Sequence, residues 1–222
     1  METNILILLL IVILAFFAFS RIVVERIEHN HYGQRVDFFH RYPVNEGDVV
    51  FLGDSITDGG CWEELFPGVP LKNRGINADT STGVLLRIED ILRSRPKAIF
   101  LLIGTNDLPW FEYRSDKAIL RTYSQILDKC HEESPRTRIF VQSLLPRARG
   151  YRQRIERLNG QLKQLAEIYG HTYIDLHSSF VDSKGGLRDE LTNDHLHLLA
   201  GGYARWVEIL TPYINELFST DN

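Results

Sequence analysis

Asp48-Val49-Val50-Phe51-Leu52-Gly53-Asp54-Ser55-Ile56-Thr57-Asp58-Gly59-Gly60 decides the fold. Val49 to Leu52 form a short apolar run with turn residues on both sides, the pattern of a strand buried on both faces of a parallel sheet. Such a strand delivers Gly53-Asp54-Ser55 to its carboxyl end, where open α/β sheets bind ligands. Glycine ahead of the serine permits a tight turn and a close backbone approach. Ser55 also reads as a cap for the next helix. The two readings separate on whether other strand ends bring partners to it.

Outward from this strand the chain alternates. Upstream, residues 21–42 read as a helix with Ile22, Val23, Ile27, Val36, Phe38 and Phe39 as its apolar positions, broken by Pro43, Asn45 and Gly47. Downstream, Trp62, Leu65 and Phe66 suggest a short helical turn, and residues 69–75 a second strand ending at Gly75. Asp79, Thr80 and Ser81 are cap candidates for a helix carrying Val84, Leu85, Ile88, Ile91 and Leu92, closed by Pro96. Residues 97–103 form the strongest strand pattern and run into Gly104-Thr105-Asn106-Asp107. A helix over 115–133 and a strand over 139–141 follow, then a helix with Ile155, Leu158, Leu162, Leu165 and Ile168 that Gly170 ends. Residues 173–176 read as the fifth strand, and 200–218 as a last helix that Pro212 should kink or restart. Strands alternating with helices of this length imply right-handed crossovers. The expected architecture is an α/β three-layer α/β/α sandwich around a doubly wound, five-stranded parallel sheet.

The 222 residues suffice for one sizeable core, and 44% hydrophobic with 24% charged residues is ordinary for a globular protein. A net charge of -4 and a pI near 6.1 give no footprint for nucleic-acid binding. Cys61 and Cys130 make neither a disulfide framework nor a metal spacing. No Gly-rich phosphate loop follows the first strand, which excludes the common nucleotide-binding motifs.

The N-terminus is unusual. Residues 5–19 are unbroken apolar sequence, followed by Ser20, Arg21 and Ile22-Val23-Val24. Fifteen helical residues span about 22 Å, short of a bilayer core of about 30 Å, and extension to Val24 reaches that length if Arg21 snorkels. A signal peptide with Ala18-Phe19-Ser20 at its cleavage site is the competing reading, against which Met1-Glu2-Thr3-Asn4 supplies no basic residue. Residues 1–24 are thus expected to be a membrane anchor or uncleaved signal, and 25–222 the catalytic domain. An extracytoplasmic domain is the expectation. A cytoplasmic one is the alternative, which Arg21, Arg26 and Arg35 favour by the positive-inside rule.

The topology brings Ser55, Gly75, Asn106 and the turn Asp194-His195-Leu196-His197 to one rim. Acyl transfer needs a nucleophile, a base, an orienter for the base, and donors for the developing oxyanion. Ser55 suits the nucleophile, an imidazole of that turn the base, and Asp194 the orienter. The amides of Ser55 and Gly75 with the Asn106 side chain suit an oxyanion hole.

These blocks resemble the GDSL or SGNH family of serine hydrolases, in order and in spacing. The likeness is strongest to the branch holding platelet-activating-factor acetylhydrolase-like proteins and bacterial carbohydrate O-acetylesterases. Asn73-Arg74-Gly75-Ile76, Leu144-Leu145-Pro146-Arg147 and residues 197–203 carry it. The resemblance implies a flavodoxin-like SGNH fold, nucleophile Ser55, oxyanion donors Gly75 and Asn106, base His197 with partner Asp194, and no metal or organic cofactor. Two histidines stand in the final turn where the family commonly has one. Residues three apart in a turn share a face whereas neighbours splay, so His197 is preferred to His195 as the partner of Asp194.

Asp54 and Asp58 flank the serine, and hydrogen bonding to loop amides is the plainer role for both. Asp54, Trp110 and Arg147 are the candidates for substrate contact. Trp62, Phe111, Tyr113 and Arg149 are further rim positions, the aromatics suiting a sugar or lipid. The expected activity is hydrolysis of short acyl esters, most simply acetyl groups on a carbohydrate. The alternatives are a lysophospholipase or thioesterase at a membrane surface, and a binding module that has kept the fold without the chemistry. The expected partner is therefore a small acylated sugar or lipid ester; nothing in the sequence assigns an oligomeric state.

Overall fold

The computed structural model describes residues 2–109 and 114–219, with residues 2–5 and 8 described by backbone alone. Five strands form one all-parallel sheet: β1 (Val49–Gly53), β2 (Leu71–Gly75), β3 (Ala98–Leu102), β4 (Arg138–Gln142) and β5 (Thr172–Ile174), in the order β2-β1-β3-β4-β5. This is the doubly wound order expected from the sequence, and its topological switch lies between β1 and β3. The helices are α1 (Glu2–Arg41), α2 (Ser55–Asp58), α3 (Trp62–Leu65), α4 (Ser81–Leu92), α5 (Asp116–Glu133), α6 (Arg152–Ile168), α7 (His177–Phe180) and α8 (Ala200–Ser219).

Alternation along the strands divides the core in two, because successive side chains point to opposite faces. Val50, Leu52, Ile99, Leu101 and Val141 pack with Val84 and Ile88 of α4, Tyr123 and Leu127 of α5, and Leu158 of α6. Val49, Phe51, Phe100 and Phe140 pack on the other face with Trp62, Trp206 and Leu210. There Phe51, Phe100 and Phe140 stack across three strands at 5.2 and 4.3 Å between centroids, and Trp62 lies 4.2 Å from Phe51. Each such pair contributes about 0.5–1.5 kcal/mol beyond its buried area. The stack fixes β1, and β1 carries Ser55.

Four expectations change. First, α1 is one continuous helix of 40 residues. Ser20 and Arg21 do not interrupt it, since the Ser20 hydroxyl bonds back to the Phe16 carbonyl at 2.8 Å and Arg21 pairs with Glu25. Second, among the described residues no helix is long and apolar enough to cross a membrane, so the expected span to Val24 is not found there. Third, Pro212 sits inside an unbroken α8. Its ring leaves the Glu208 carbonyl without a helical donor, and Glu208 and Pro212 are both exposed, where solvent can take up the lost bond. β5 is also shorter than expected, ending at Ile174.

The last third of α1 docks on α4. Tyr32 donates to the Gly83 carbonyl in the first turn of α4, His40 meets Asp90 at 2.7 Å near its end, and Arg35 lies 3.1 Å from Asp58. The two helices therefore run in the same direction. Upstream of Tyr32, α1 continues past the start of α4, off the carboxyl edge of the sheet. The apolar side chains of its first half are exposed, among them Leu10, Leu14, Phe16, Phe17 and Phe19.

Candidate active site

Ser55 is the first residue of α2, directly beyond the carboxyl end of β1. Asp54 caps this helix by accepting from the Ile56 amide at 3.0 Å. The turn is tight: a Cβ on Gly53 would stand 2.3 Å from the Leu102 carbonyl oxygen and from Thr57 Oγ1. Gly75, beside Gly53 in the sheet, is equally constrained, with a built Cβ 2.2 Å from the Asp58 amide nitrogen. Glycine at both positions lets α2 sit on the strand ends.

Ser55 Oγ lies 3.0 Å from His197 Nε2, and His197 Nδ1 lies 2.7 Å from Asp194 Oδ2. The second carboxylate oxygen of Asp194 accepts from the amides of Leu196 and His197 at 2.9 and 2.7 Å. Partial burial pushes the Asp194 carboxyl upward, but the His197 ring and these amides outweigh it and hold the pKa down at about 2. The ionised form that orients His197 persists above the ordinary carboxylate range and is lost only as pH falls through about 2. With Nδ1–H on Asp194, Nε2 is left to accept the serine proton. His195 takes no part in this chain of contacts. It stands in the left-handed region at φ 59°, and its ring faces Asp189 at 3.7 Å.

Asn106, on the 3-10 turn Thr105–Asp107 after β3, donates one Nδ2 hydrogen to the Asp79 carbonyl at 2.9 Å. The second hydrogen of that nitrogen remains available for an oxyanion. Gly75 reaches the same rim, but its N–H donates to Asn73 Oδ1 at 2.9 Å instead of opening into the site.

The substrate-contact candidates divide. Asp54 is fully buried and caps α2, so it is a support beneath the serine and not a substrate contact. Burial, with Asp79 and Asp107 nearby, pushes its carboxyl up to about 7 against the Ile56 amide and Arg147, and its Oδ2 has no partner among the described residues. Arg147 is at the rim, half-buried, donating to the Thr105 carbonyl at 2.8 Å with its guanidinium 4.5 Å from the Tyr151 ring. Burial lowers it from the ordinary arginine value, against the pull of Tyr151, Asp54 and Asp194. With Ala148, Arg149, Asp182, Leu187, Asp189 and His195 it lines a cavity of about 360 Å³. Trp110, Phe111 and Tyr113 lie outside the described residues. Trp62 is buried in the core, not at the mouth.

Some supporting residues escaped the sequence reading. Asn73 Nδ2 approaches the carbonyls of Thr57, Asp58 and Gly60 at 3.0–3.3 Å, tying the end of α2 to β2. Arg87 forms a buried pair with Asp79 at 2.8 Å and donates to the Gly53 carbonyl. Asp107 accepts from the Ser81 amide and hydroxyl and from Arg114. Asn73 and Asp107 stand inside the motif blocks without their roles being marked there, and Arg87 lies mid-α4 with no sequence signal of its own.

Residues 51–205 match the GDSL-like Lipase/Acylhydrolase family. This chain belongs to that family. The GDSL hydrolase is 30% identical over 182 residues, 78% of each chain, to the platelet-activating factor acetylhydrolase IB subunit alpha2 of Rattus norvegicus. A structure from Streptococcus pneumonia described as a platelet activating factor superposes with a TM-score of 0.79 at 26% identity, covering 89% of the GDSL hydrolase and 99% of the other chain. A GDSL-like lipase of Bacteroides thetaiotaomicron shares the fold at TM-score 0.73 and 22% identity, over 82% and 97% of the two chains. The GDSL hydrolase is thus a carboxylic ester hydrolase on the expected three-layer fold.

Proposed function

We propose that this hydrolase removes short acyl groups, foremost acetyl, from a carbohydrate through a Ser55-His197-Asp194 triad. The observation that carries the reading is the continuous contact from Ser55 Oγ through the His197 ring to Asp194, at 3.0 and 2.7 Å. His197 Nε2 takes the Ser55 proton as Oγ attacks the ester carbonyl. Asn106 Nδ2 and the Ser55 amide stabilise the tetrahedral oxyanion, and Gly75 joins them when its N–H exchanges Asn73 for the substrate. The alcohol leaves with the proton from His197, and water repeats the sequence on the acyl-enzyme.

Two observations favour a sugar over a lipid ester. The cavity beside His195 and Arg147 carries Arg149, Asp182 and Asp189, whose charged groups suit the hydroxyls of a sugar. The exposed apolar part of α1 leaves from the same sheet edge as Ser55, but about 20 Å of helix separates Phe19 from Tyr32. We further propose that this apolar part, exposed all round, attaches the protein to a lipid surface with the domain on the extracytoplasmic side. The helix then holds the site clear of the acyl-ester level of the bilayer, where a glycan ester reaches it. A substrate series tests this: turnover of acetylated xylo-oligosaccharides should exceed that of lysophospholipids and long-chain p-nitrophenyl esters by at least tenfold. Preference for the long chains would reverse the assignment.

A further inference from the structure

A second cavity, of about 350 Å³, lies where α1 docks on α4, away from the triad. One wall is apolar, made by Val36 and Phe39 of α1 with Val44 and Ile91. Arg74, Arg87 and Arg93 also line the cavity. Arg74 and Arg87 are about as buried as core residues, at 5% and 6% exposure. Phe39 is sandwiched among the arginines, with Arg74 4.6 Å and Arg87 5.9 Å from its ring centroid.

Arginines outnumber carboxylates on the lining, although Glu89 stands 4.0 Å from Arg93 just outside it. Asp90 is the lining carboxylate, and it is shared by His40 at 2.7 Å and Arg93 at 3.0 Å. Asp79 answers Arg87 from the far side through Nε and Nη2, and the Gly53 carbonyl takes Nη2 as well. Arg87 Nη1 is left buried with no hydrogen-bond partner among the described residues. An orphaned guanidinium donor in the interior is costly unless a ligand meets it. Burial lowers Arg74 to about 10, with Arg35 and Arg87 adding to the displacement, the mark of crowded cations.

We propose that this cavity binds a phosphate monoester group, its anion held by Arg87, Arg74 and Arg93 and any apolar tail lying against Val36 and Phe39. Guanidinium forks match phosphate oxygens in geometry and charge, and Arg87 is already fixed in place by its other contacts. The phosphate comes either from an anionic lipid or from a free anion, and both present the same head.

Calorimetric titration of the full chain in a neutral maltoside detergent distinguishes them. The probes are inorganic phosphate, dihexanoyl phosphatidic acid and dihexanoyl phosphatidylcholine. Phosphatidic acid is expected to bind at least tenfold more tightly than phosphatidylcholine, and inorganic phosphate to compete with it. Phosphate weaker than phosphatidic acid assigns the lipid source; equal affinity assigns the free anion. Val36→Trp fills the cavity from the helix side without removing an arginine, and should weaken phosphatidic acid at least tenfold. Arg93→Gln, at a residue whose side chain is 70% exposed and so dispensable for folding, should weaken it at least threefold. No binding of either phosphate probe, equal affinity for the two lipids, or affinity unmoved by both variants overturns the site.

Discussion

At the scale of the residue, the site rests on a few oriented groups and one buried acid. Asn106→Ala removes a donor along with its bond to the Asp79 carbonyl, and turnover should fall about 10²- to 10³-fold in a protein that still folds. Near-normal hydrolysis by a folded variant would remove Asn106 from the oxyanion hole. Asp54 gives a pH prediction. Its carboxyl is raised from 3.8 to about 7 in the folded state, so between those values the unfolded chain has released a proton that the folded chain keeps. Stability therefore falls as pH rises through that window, by roughly 4 kcal/mol in total. Asp54→Asn cannot ionise, so urea unfolding should show wild type losing that much more stability than the variant between pH 4 and pH 8; parallel curves would contradict the buried neutral acid. Resemblance to a known family singled out Ser55, Asn106, Asp194 and His197 in the sequence, and the fold sets Ser55, His197 and Asp194 in one line of contacts. The burial of Asp54 and the capture of the Gly75 amide by Asn73 were not legible there, because both depend on how α2 settles on the strand ends.

At the scale of the element, β1, β3 and β4 were readable as apolar runs, whereas β2, Leu71-Lys72-Asn73-Arg74-Gly75, was marked mainly by its closing glycine; right-handed crossovers imply a doubly wound sheet without setting its strand order. Helix ends were less readable. Pro212 reads as a break in isolation, yet α8 continues because its inner face, with Trp206, Leu210 and Ile214, is anchored on the sheet. Tertiary burial there outweighs one lost hydrogen bond. The packing of α2 on β2 yields a further prediction. Gly75→Ala places a methyl group 2.2 Å from the backbone nitrogen of Asp58, which has no rotamer through which to yield. The variant should lose about 1–3 kcal/mol in chemical denaturation, and turnover should fall with it as Ser55 shifts. Unchanged stability and rate would mean that α2 is not seated as described.

At the scale of the whole molecule, the apolar N-terminal run was plain in the sequence, but its direction was not. Only the contacts of Tyr32, Arg35 and His40 with the domain show that α1 leaves from the catalytic edge. Leu14 and Phe17 are exposed there, at 59% and 65%, so substituting them removes little packing. Leu14→Lys with Phe17→Lys should abolish sedimentation with phospholipid vesicles, since each lysine costs about 3 kcal/mol in a bilayer interior. Hydrolysis of p-nitrophenyl acetate should stay within twofold of wild type. Retained vesicle binding would show that another surface makes the attachment.

The central claim is that Ser55 is a nucleophile activated by His197. Intact-mass and peptide analysis after treatment with a fluorophosphonate tests it most directly. A single adduct on the peptide carrying Ser55, formed at least a hundredfold more slowly in His197→Ala, is the expected result. No adduct, an adduct on another residue, or equal labelling of the His197→Ala protein would contradict it.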